Sequence, residues 1–139
     1  MATFADVERI IDGLPDVTVG ERHGRRTWFA GDTKKPKAFA WERPFGKADV
    51  KRFGDAPVPE GPILAVSVAD LDDKEAVLQA DTAGVFTISH FDGYAAVLVQ
   101  LRRVPKPALR ALVVDAWLAV APPAAAEDFL ASPRGRRHR

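Results

Sequence analysis

The sequence contains no cysteine, a single methionine, a single tyrosine and no long hydrophobic run. Without thiols the chain cannot form disulfides, iron–sulfur clusters, thiolate zinc sites or a cysteine nucleophile. No apolar run approaches the ~18 residues that a membrane span needs. The first residues also lack the basic and then apolar pattern of a secretory signal. These absences predict a cytoplasmic protein with no membrane partner.

Metal-binding and catalytic motifs are missing as well. The three histidines, His23, His90 and His138, have no ligand-type spacing to one another or to a tight carboxylate cluster. No nucleophile elbow, phosphate-binding loop or dinucleotide fingerprint occurs. The acids between Asp70 and Glu75 are explained more simply as helix caps than as metal ligands. We therefore expect no metal, no cofactor and no enzymatic activity.

The residues that are present have the composition of one globular domain. The chain has 139 residues, of which 47% are hydrophobic and 28% charged. No linker or internal repeat divides it, so we expect a single domain over residues 1–131. The arginine-rich residues 132–139 are expected to form a disordered basic tail. Nothing in the sequence indicates an oligomer, and a monomer is the default expectation.

Apolar spacing predicts helices and strands that do not alternate regularly. Helical stripes occur near residues 3–13 and 71–80, and in a segment that Pro105 or Pro107 opens. Glycine-containing turns at His23–Arg25 and Asp92–Gly93 indicate two hairpins. The resulting order α-β-β-β-β-α-β-β-α predicts an α+β fold with a largely antiparallel sheet and helices on one face. The predicted strands are residues 17–22, 26–30, 37–42, 63–68, 85–89 and 95–102.

Charge is unevenly distributed along the chain. The net charge is only +1, but residues 22–52 contain ten Lys or Arg and three acids, a local balance of +7. Residues 61–105 have a balance of −3, and residues 134–139 add +4. Balanced totals argue against a protein that coats nucleic acid, whereas segregated charge still permits a local basic face.

Several short segments resemble the MmcQ/YjbR family, with similarity over roughly residues 3–121. The most specific is His90-Phe91-Asp92-Gly93-Tyr94. The sequence departs from the family where Asp16 replaces a frequent glycine and in the Pro/Gly-rich loop at residues 43–62. The other matching segments are Leu14-Pro15-Asp16-Val17, Glu21-Arg22-His23-Gly24-Arg25, Phe39-Ala40-Trp41, Leu64-Ala65-Val66-Ser67-Val68 and Asp115-Ala116-Trp117.

This resemblance implies a fold and a function. The fold would be an α+β domain similar in topology to frataxin-like or secretion-chaperone-like domains. The function would be DNA binding, with two hairpins acting as wings. Fold similarity alone does not establish a function, so the residues themselves must supply the argument.

The basic stretch provides the first set of candidate site residues. Cationic side chains neutralise phosphates, and interleaved aromatic rings such as Trp41 can stack on bases. The alternative is a solvated charged face above aromatic residues that point into the core. Phe39 and Trp41 are predicted to share one face of their strand. The basic and histidine candidates are Arg22, His23, Arg25, Arg26, Lys34, Lys35 and Lys37.

The second set of candidates lies at the other predicted hairpin tip. His90, Asp92 and Tyr94 place an imidazole, a carboxylate and a phenol close together. The alternative is that Asp92 and Gly93 only form a turn while His90 and Tyr94 satisfy local backbone groups. If the two tips meet, the sequence predicts a nucleic-acid interface.

A binding module for a small molecule or a protein partner is the alternative function. It would use an aromatic pocket between the sheet and the helices. The aromatic candidates for that pocket are Trp28, Trp41, Phe86 and Tyr94.

Overall fold

The computed structural model describes residues 1–31 and 34–138 of the chain. A six-stranded sheet forms its centre. The helices and strands are, in chain order, α1 (Phe4–Asp12), β1 (Val17–Arg22), β2 (Arg25–Ala30), β3 (Lys37–Glu42), α2 (Lys47–Arg52), β4 (Ile63–Ser67), α3 (Leu71–Gln79), β5 (Val85–Phe86), β6 (Ala96–Gln100), α4 (Lys106–Val120), α5 (Pro123–Ala131) and α6 (Pro133–His138).

The sheet has the strand order β1-β2-β3-β4-β6-β5, and every neighbouring pair is antiparallel. Hairpins join β1 to β2 and β2 to β3, while α3 and β5 lie in the connection from β4 to β6. The predicted α+β class with an antiparallel sheet is therefore confirmed. The predicted element order omits three helices: α2, which lies within the Pro/Gly-rich loop at residues 43–62, and α5 and α6, which follow α4.

Local capping explains where the helices begin. Thr3 and Asp6 form a reciprocal capping box at α1, in which the Thr3 amide donates to the Asp6 carboxylate at 2.8 Å. Asp70 caps α3 by accepting a 2.8 Å hydrogen bond from the Asp73 amide. The prediction that these acids serve as helix caps is confirmed at Asp70.

The two faces of the sheet carry separate hydrophobic clusters. On one face, Trp28, Leu64 and Val66 pack with residues of α1, α4 and α5. On the other face, Ile63, Ala65, Leu98 and Ala96 pack with Phe91, and Trp41, Phe45 and Phe86 surround them. Side chains alternate between the faces of a strand, so β4 and β6 contribute to both clusters.

A bulge in β3 changes the expected side-chain alternation. Trp28 pairs with Ala40 but Phe29 pairs with Ala38, which leaves Phe39 without a partner on β2. Phe39 packs in the helix-side cluster, whereas Trp41 packs against the opposite cluster. The prediction that Phe39 and Trp41 share one face is therefore wrong, because the extra residue shifts the strand's period.

The two predicted hairpin tips differ in structure. His23 and Gly24 both have positive φ, +55° and +74°, and Arg22 pairs with Arg25, so the first turn contains two residues rather than three. The second tip is not a tight hairpin, because β5 ends at Phe86 and a 3₁₀ turn follows over Ser89–Phe91.

A further turn completes the connection between β5 and β6. The Tyr94 amide donates to the Phe91 carbonyl at 3.0 Å, and Gly93 takes the positive φ of +74° that this turn requires. Phe91 is buried in the cluster on the face opposite α4. The connection therefore crosses that face of the sheet.

The end of the chain forms a helix where a disordered tail over residues 132–139 was predicted. The Ser132 hydroxyl accepts a 3.2 Å hydrogen bond from the Gly135 amide at the start of α6. Gly135 is buried against the Phe129 carbonyl, where no Cβ would fit. The Ser132 cap and the close contact of Gly135 with the Phe129 carbonyl both favour the helix over residues 133–138. Arg139 lies outside the described residues.

Residues 1–31 and 34–138 contain neither a membrane-spanning helix nor a cluster of metal ligands. None of their helices is long and apolar enough to cross a membrane. They also contain no group of three or more histidine, aspartate or glutamate residues placed to hold a metal ion.

Candidate functional site

A pocket of about 680 Å³ lies where the β1–β2 turn meets the connection between β5 and β6. We call it the tip pocket. It occupies the face of the sheet opposite α4 and is large enough for a small ligand. Its principal lining residues are Arg22, His23, Arg25, Thr27, Trp41, Glu42, Arg43, Asp49, His90, Phe91 and Tyr94.

Strand alternation decides which arginines of the first hairpin face the tip pocket. Arg22 and Arg25 pair across the turn and line the pocket together with Thr27. Arg26, one position away, lies on the opposite face of the sheet. Arg22 and Arg25 form no ion pair with any carboxylate that the structure describes, and so their charges remain available to a ligand.

Arg26 is neutralised on the helix side of the sheet. Its guanidinium forms ion pairs with Glu8 and with Glu42, the latter at 2.7 Å, and lies 4.9 Å from the Trp28 ring centroid. Desolvation lowers the pKa of Arg26, but the hydrogen bonds to Glu8 and Glu42 outweigh it and raise the pKa above its usual value. The structure therefore gives Arg26 a role between α1 and the sheet, outside the predicted interface.

Aromatic rings form one wall of the tip pocket. The centroids of Trp41 and Tyr94 are 6.2 Å apart, and Phe91 meets Tyr94 edge-on at 5.7 Å. Tyr94 is 53% exposed, although most large hydrophobic and aromatic residues of the sheet are buried. Its ring is therefore available to stack on a flat ligand.

A fixed ion pair borders this wall. Arg43 binds Asp49 through two hydrogen bonds of 3.0 and 3.2 Å, and its guanidinium lies 5.8 Å from the Phe91 ring centroid. Asp49 also accepts from the Gly46 amide and pairs with Arg52 at 3.3 Å. The bidentate contact with Arg43 lowers the pKa of the Asp49 carboxyl. Asp49 is therefore charged at neutral pH and compensates Arg43.

A buried lysine on α3 fixes the connection that carries His90 and Tyr94. The Lys74 ammonium donates to the Phe91 carbonyl at 2.6 Å and to the Tyr94 carbonyl at 2.8 Å, and the residue is 7% exposed. An ammonium at this depth is held by such charge-assisted hydrogen bonds. Lys74 therefore positions one wall of the tip pocket from outside it.

The structure separates the remaining basic candidates from the tip pocket. Lys37 pairs with Ala30 at the end of β2 that is farthest from Arg25. Lys34 and Lys35 belong to the turn at that same end. The basic candidates of the first two hairpins therefore form two groups at opposite ends of β2, and of these two groups the one at the β1–β2 turn lines the tip pocket.

The second set of candidates is also divided. His90 and Tyr94 line the tip pocket, but Asp92 lies in a separate depression beside α3. No hydrogen bond joins Asp92 to His90 in the part of the chain that the structure describes. The turn that Gly93 permits directs these two side chains apart, so Asp92 does not orient the imidazole.

The four aromatic candidates for a pocket between the sheet and the helices do not come together there. Trp41 and Tyr94 line the tip pocket. Trp28 is 1% exposed within the helix-side cluster, and Phe86 packs against Phe45 at 6.0 Å in the opposite one. The pocket lies on the outer face of the sheet rather than between the sheet and the helices.

Comparison with known proteins places the chain among relatives of its own length. Uncharacterized protein Rv2570 of Mycobacterium tuberculosis (strain ATCC 25618 / H37Rv) is 43% identical over 136 residues, which cover 95% of this chain and 98% of that protein. Uncharacterized protein Mb2600 of Mycobacterium bovis has the same identity and coverage. The chain belongs to the family of these mycobacterial proteins. No family profile matches it.

A solved structure shares the fold of this family. The crystal structure of Deinococcus radiodurans protein DR2400, a DUF419 domain, superposes with a TM-score of 0.61 over 96% of this chain and 91% of that chain. The sequence identity is 18%, so the likeness concerns the fold alone.

Sequence reasoning missed three residues that shape the tip pocket, namely Arg43, Asp49 and Lys74. The capping pattern Gly46-x-x-Asp49 was a usable signal for α2 and for the position of Asp49. No local signal marks Lys74, because its two carbonyl partners lie 17 and 20 residues further along the chain.

Proposed function

We propose that this protein is a non-enzymatic binding module whose tip pocket binds a nucleotide, as a unit of single-stranded DNA or as a free molecule. The MmcQ/YjbR resemblance, with the DNA binding that it implies, forms part of this proposal. The observation that carries it is the meeting of Arg22 and Arg25, which have no carboxylate partner among the described residues, with the exposed ring of Tyr94 in one pocket.

A nucleotide combines the two chemical groups that this pocket is suited to bind. Its phosphate would supply the anionic partner that Arg22 and Arg25 do not have among the described residues. Arginine pairs with phosphate in a bidentate manner. Its base is flat and stacks on an aromatic ring such as Tyr94. The ring nitrogens of His23 and His90 provide hydrogen-bonding groups for a base edge.

The arrangement of charges favours a single nucleotide unit over a DNA duplex. A duplex contact needs a row of cations that follows the phosphate backbone. Here Lys35 and Lys37 lie at the far end of β2, and Arg26 is paired with Glu8 and Glu42. A concave pocket of about 680 Å³ instead has a size that suits one base with its phosphate.

The environment of the two histidines in the tip pocket supports binding rather than catalysis. Neither His23 nor His90 forms a hydrogen bond with a carboxylate among the residues that the structure describes. A general base normally depends on such a partner to fix its tautomer and orientation. We therefore assign these imidazoles to recognition.

Fluorescence anisotropy with a labelled single-stranded oligothymidylate tests the proposal at low salt. We expect Arg25→Gln to weaken binding by about tenfold, because a charged hydrogen-bonding group is lost. Tyr94→Ala should weaken it roughly 5- to 150-fold through lost stacking. Lys35→Gln is the matched control, since it removes the same charge from the far end of β2, and it should bind as the parent does.

Titration with deoxythymidine monophosphate distinguishes the two sources of the nucleotide. Binding of the oligonucleotide with the expected variant pattern supports a nucleic-acid module. Binding of the mononucleotide alone, with the same dependence on Arg25 and Tyr94, supports a small-molecule module. If neither ligand binds at low salt, or if Lys35→Gln weakens binding as much as Arg25→Gln, the proposal is wrong.

A further inference from the structure

A second basic pocket lies on the helix side of the molecule, away from the tip pocket. It has a volume of about 660 Å³ and is bounded by α1, α4 and α6. We call it the arginine pocket. The side chains that define it are Arg9, Arg110, Arg134, Arg137 and His138.

None of the residues that line the arginine pocket is acidic. Arg9 pairs with Asp6, and His138 contacts Asp115 at 2.6 Å, so two of the five basic side chains have carboxylate partners outside the pocket. The other three, on α4 and α6, form no ion pair with a carboxylate in residues 1–31 and 34–138. Their positive charges converge without compensation.

Specific contacts hold α6 in place at this pocket. Arg110 donates to the Arg134 carbonyl at 3.3 Å. The Arg134 guanidinium lies so close to Gly13, at the end of α1, that a Cβ there would collide with it. The contact of His138 with Asp115 joins the end of α6 to α4. These contacts bring Arg134 and Arg137 of α6 to a pocket that Arg9 of α1 and Arg110 of α4 also line.

We infer that the arginine pocket binds a multiply charged phosphate chain, either as free polyphosphate or as the triphosphate of a nucleotide. Guanidinium groups match phosphate oxygens in geometry and charge. A ligand with several negative charges would relieve the mutual repulsion of Arg110, Arg134 and Arg137. A single carboxylate would compensate only one of them. This inference is independent of the function proposed for the tip pocket.

Isothermal titration calorimetry of the full chain with sodium tripolyphosphate tests this inference. We expect Arg134→Gln and Arg137→Gln each to weaken binding by about tenfold, because each removes a charged hydrogen-bonding group. Arg136→Gln is the matched control. It removes the same charge from α6, but Arg136 is exposed and does not line the pocket. Thermal unfolding of each variant verifies that the fold is retained.

The outcomes separate the arginine pocket from general attraction to a basic surface. Parent-like binding by Arg136→Gln, with loss in the two α6 variants, supports the inference. ATP should bind with an affinity similar to that of tripolyphosphate if the phosphates alone are recognised. No binding of tripolyphosphate, or equal weakening by Arg136→Gln and Arg137→Gln, overturns it.

Discussion

Adjacent arginines of the first hairpin have opposite environments. Arg25 faces the tip pocket without a carboxylate partner that the structure describes, whereas Arg26 is held by Glu8 and Glu42 on the other face. The cause is the two-residue period of a strand. At the scale of the residue, a basic run in the sequence therefore contains side chains with different roles, and substitutions must be chosen one position at a time.

Asp49 gives a residue-scale prediction about pH. Its folded pKa is lower than its unfolded value because Arg43 favours the charged form. Its contribution to stability is therefore present above about pH 4 and is lost as the pH falls through the folded pKa. We expect Asp49→Asn to lower the free energy of unfolding by about 1–3 kcal/mol at neutral pH.

Urea unfolding between pH 7 and pH 3 measures this effect. The difference between the parent and Asp49→Asn should shrink as the solution becomes acidic. Asp55→Asn is the control, since Asp55 is an exposed carboxylate with no ion pair in the described residues. A difference at Asp49 that stays constant down to pH 3 would show that the carboxylate charge has no part in it.

At the scale of elements, α3 acts on the tip pocket without contributing to its lining. Lys74 extends from the helix to two carbonyl groups of the connection between β5 and β6. That connection has little regular structure of its own, with one 3₁₀ turn and the turn at Gly93. Its conformation therefore depends on a tertiary contact.

The element-scale prediction concerns Lys74→Met. This change keeps the apolar stem but leaves two carbonyls without their donor, and we expect a loss of about 2–3 kcal/mol of unfolding free energy. Amide hydrogen exchange should also become faster over residues 89–94. Lys47→Met, at an exposed position of α2, is the matched control and should change neither measurement. Unchanged exchange over residues 89–94 in Lys74→Met would contradict the positioning role.

At the scale of the whole molecule, one sheet supports two clusters and two basic pockets. Strands β4 and β6 send alternate side chains into the helix-side cluster and into the cluster beneath the tip pocket. The tip pocket and the arginine pocket thus lie on opposite sides of a shared layer. Because both clusters use the same strands, we expect them to unfold together.

Leu98→Ala tests this coupling. Leu98 is fully buried in the cluster beneath the tip pocket, and its truncation should cost about 2–5 kcal/mol. Tryptophan fluorescence reports on both clusters, because Trp28 and Trp117 lie in the helix-side cluster and Trp41 packs against the cluster that contains Leu98. It should therefore show a single transition that coincides with the one followed by far-ultraviolet circular dichroism. Leu71→Ala, at a 51% exposed position, is the control. Two separate transitions in Leu98→Ala would mean that the clusters are independent.

The sequence by itself determined the strands and the helices α1, α3 and α4, because their signals are local. Apolar spacing and capping defined α1 and α3, Pro105 and Pro107 marked the start of α4, and the positive-φ glycines marked both turns. The bulge at Phe39 and the helix at residues 133–138 escaped prediction, since register and close backbone approach depend on neighbours that are distant in sequence.

Only the tertiary structure decided which candidate residues meet. It joined Arg22, Arg25, Trp41, His90 and Tyr94 in one pocket, and it sent the lysines of the β2–β3 turn, Arg26 and Asp92 elsewhere. The physical reason is that a site is formed by side chains brought together through strand pairing and packing. Neither the direction of a side chain nor the partner of a charge is fixed by the residues beside it in the chain.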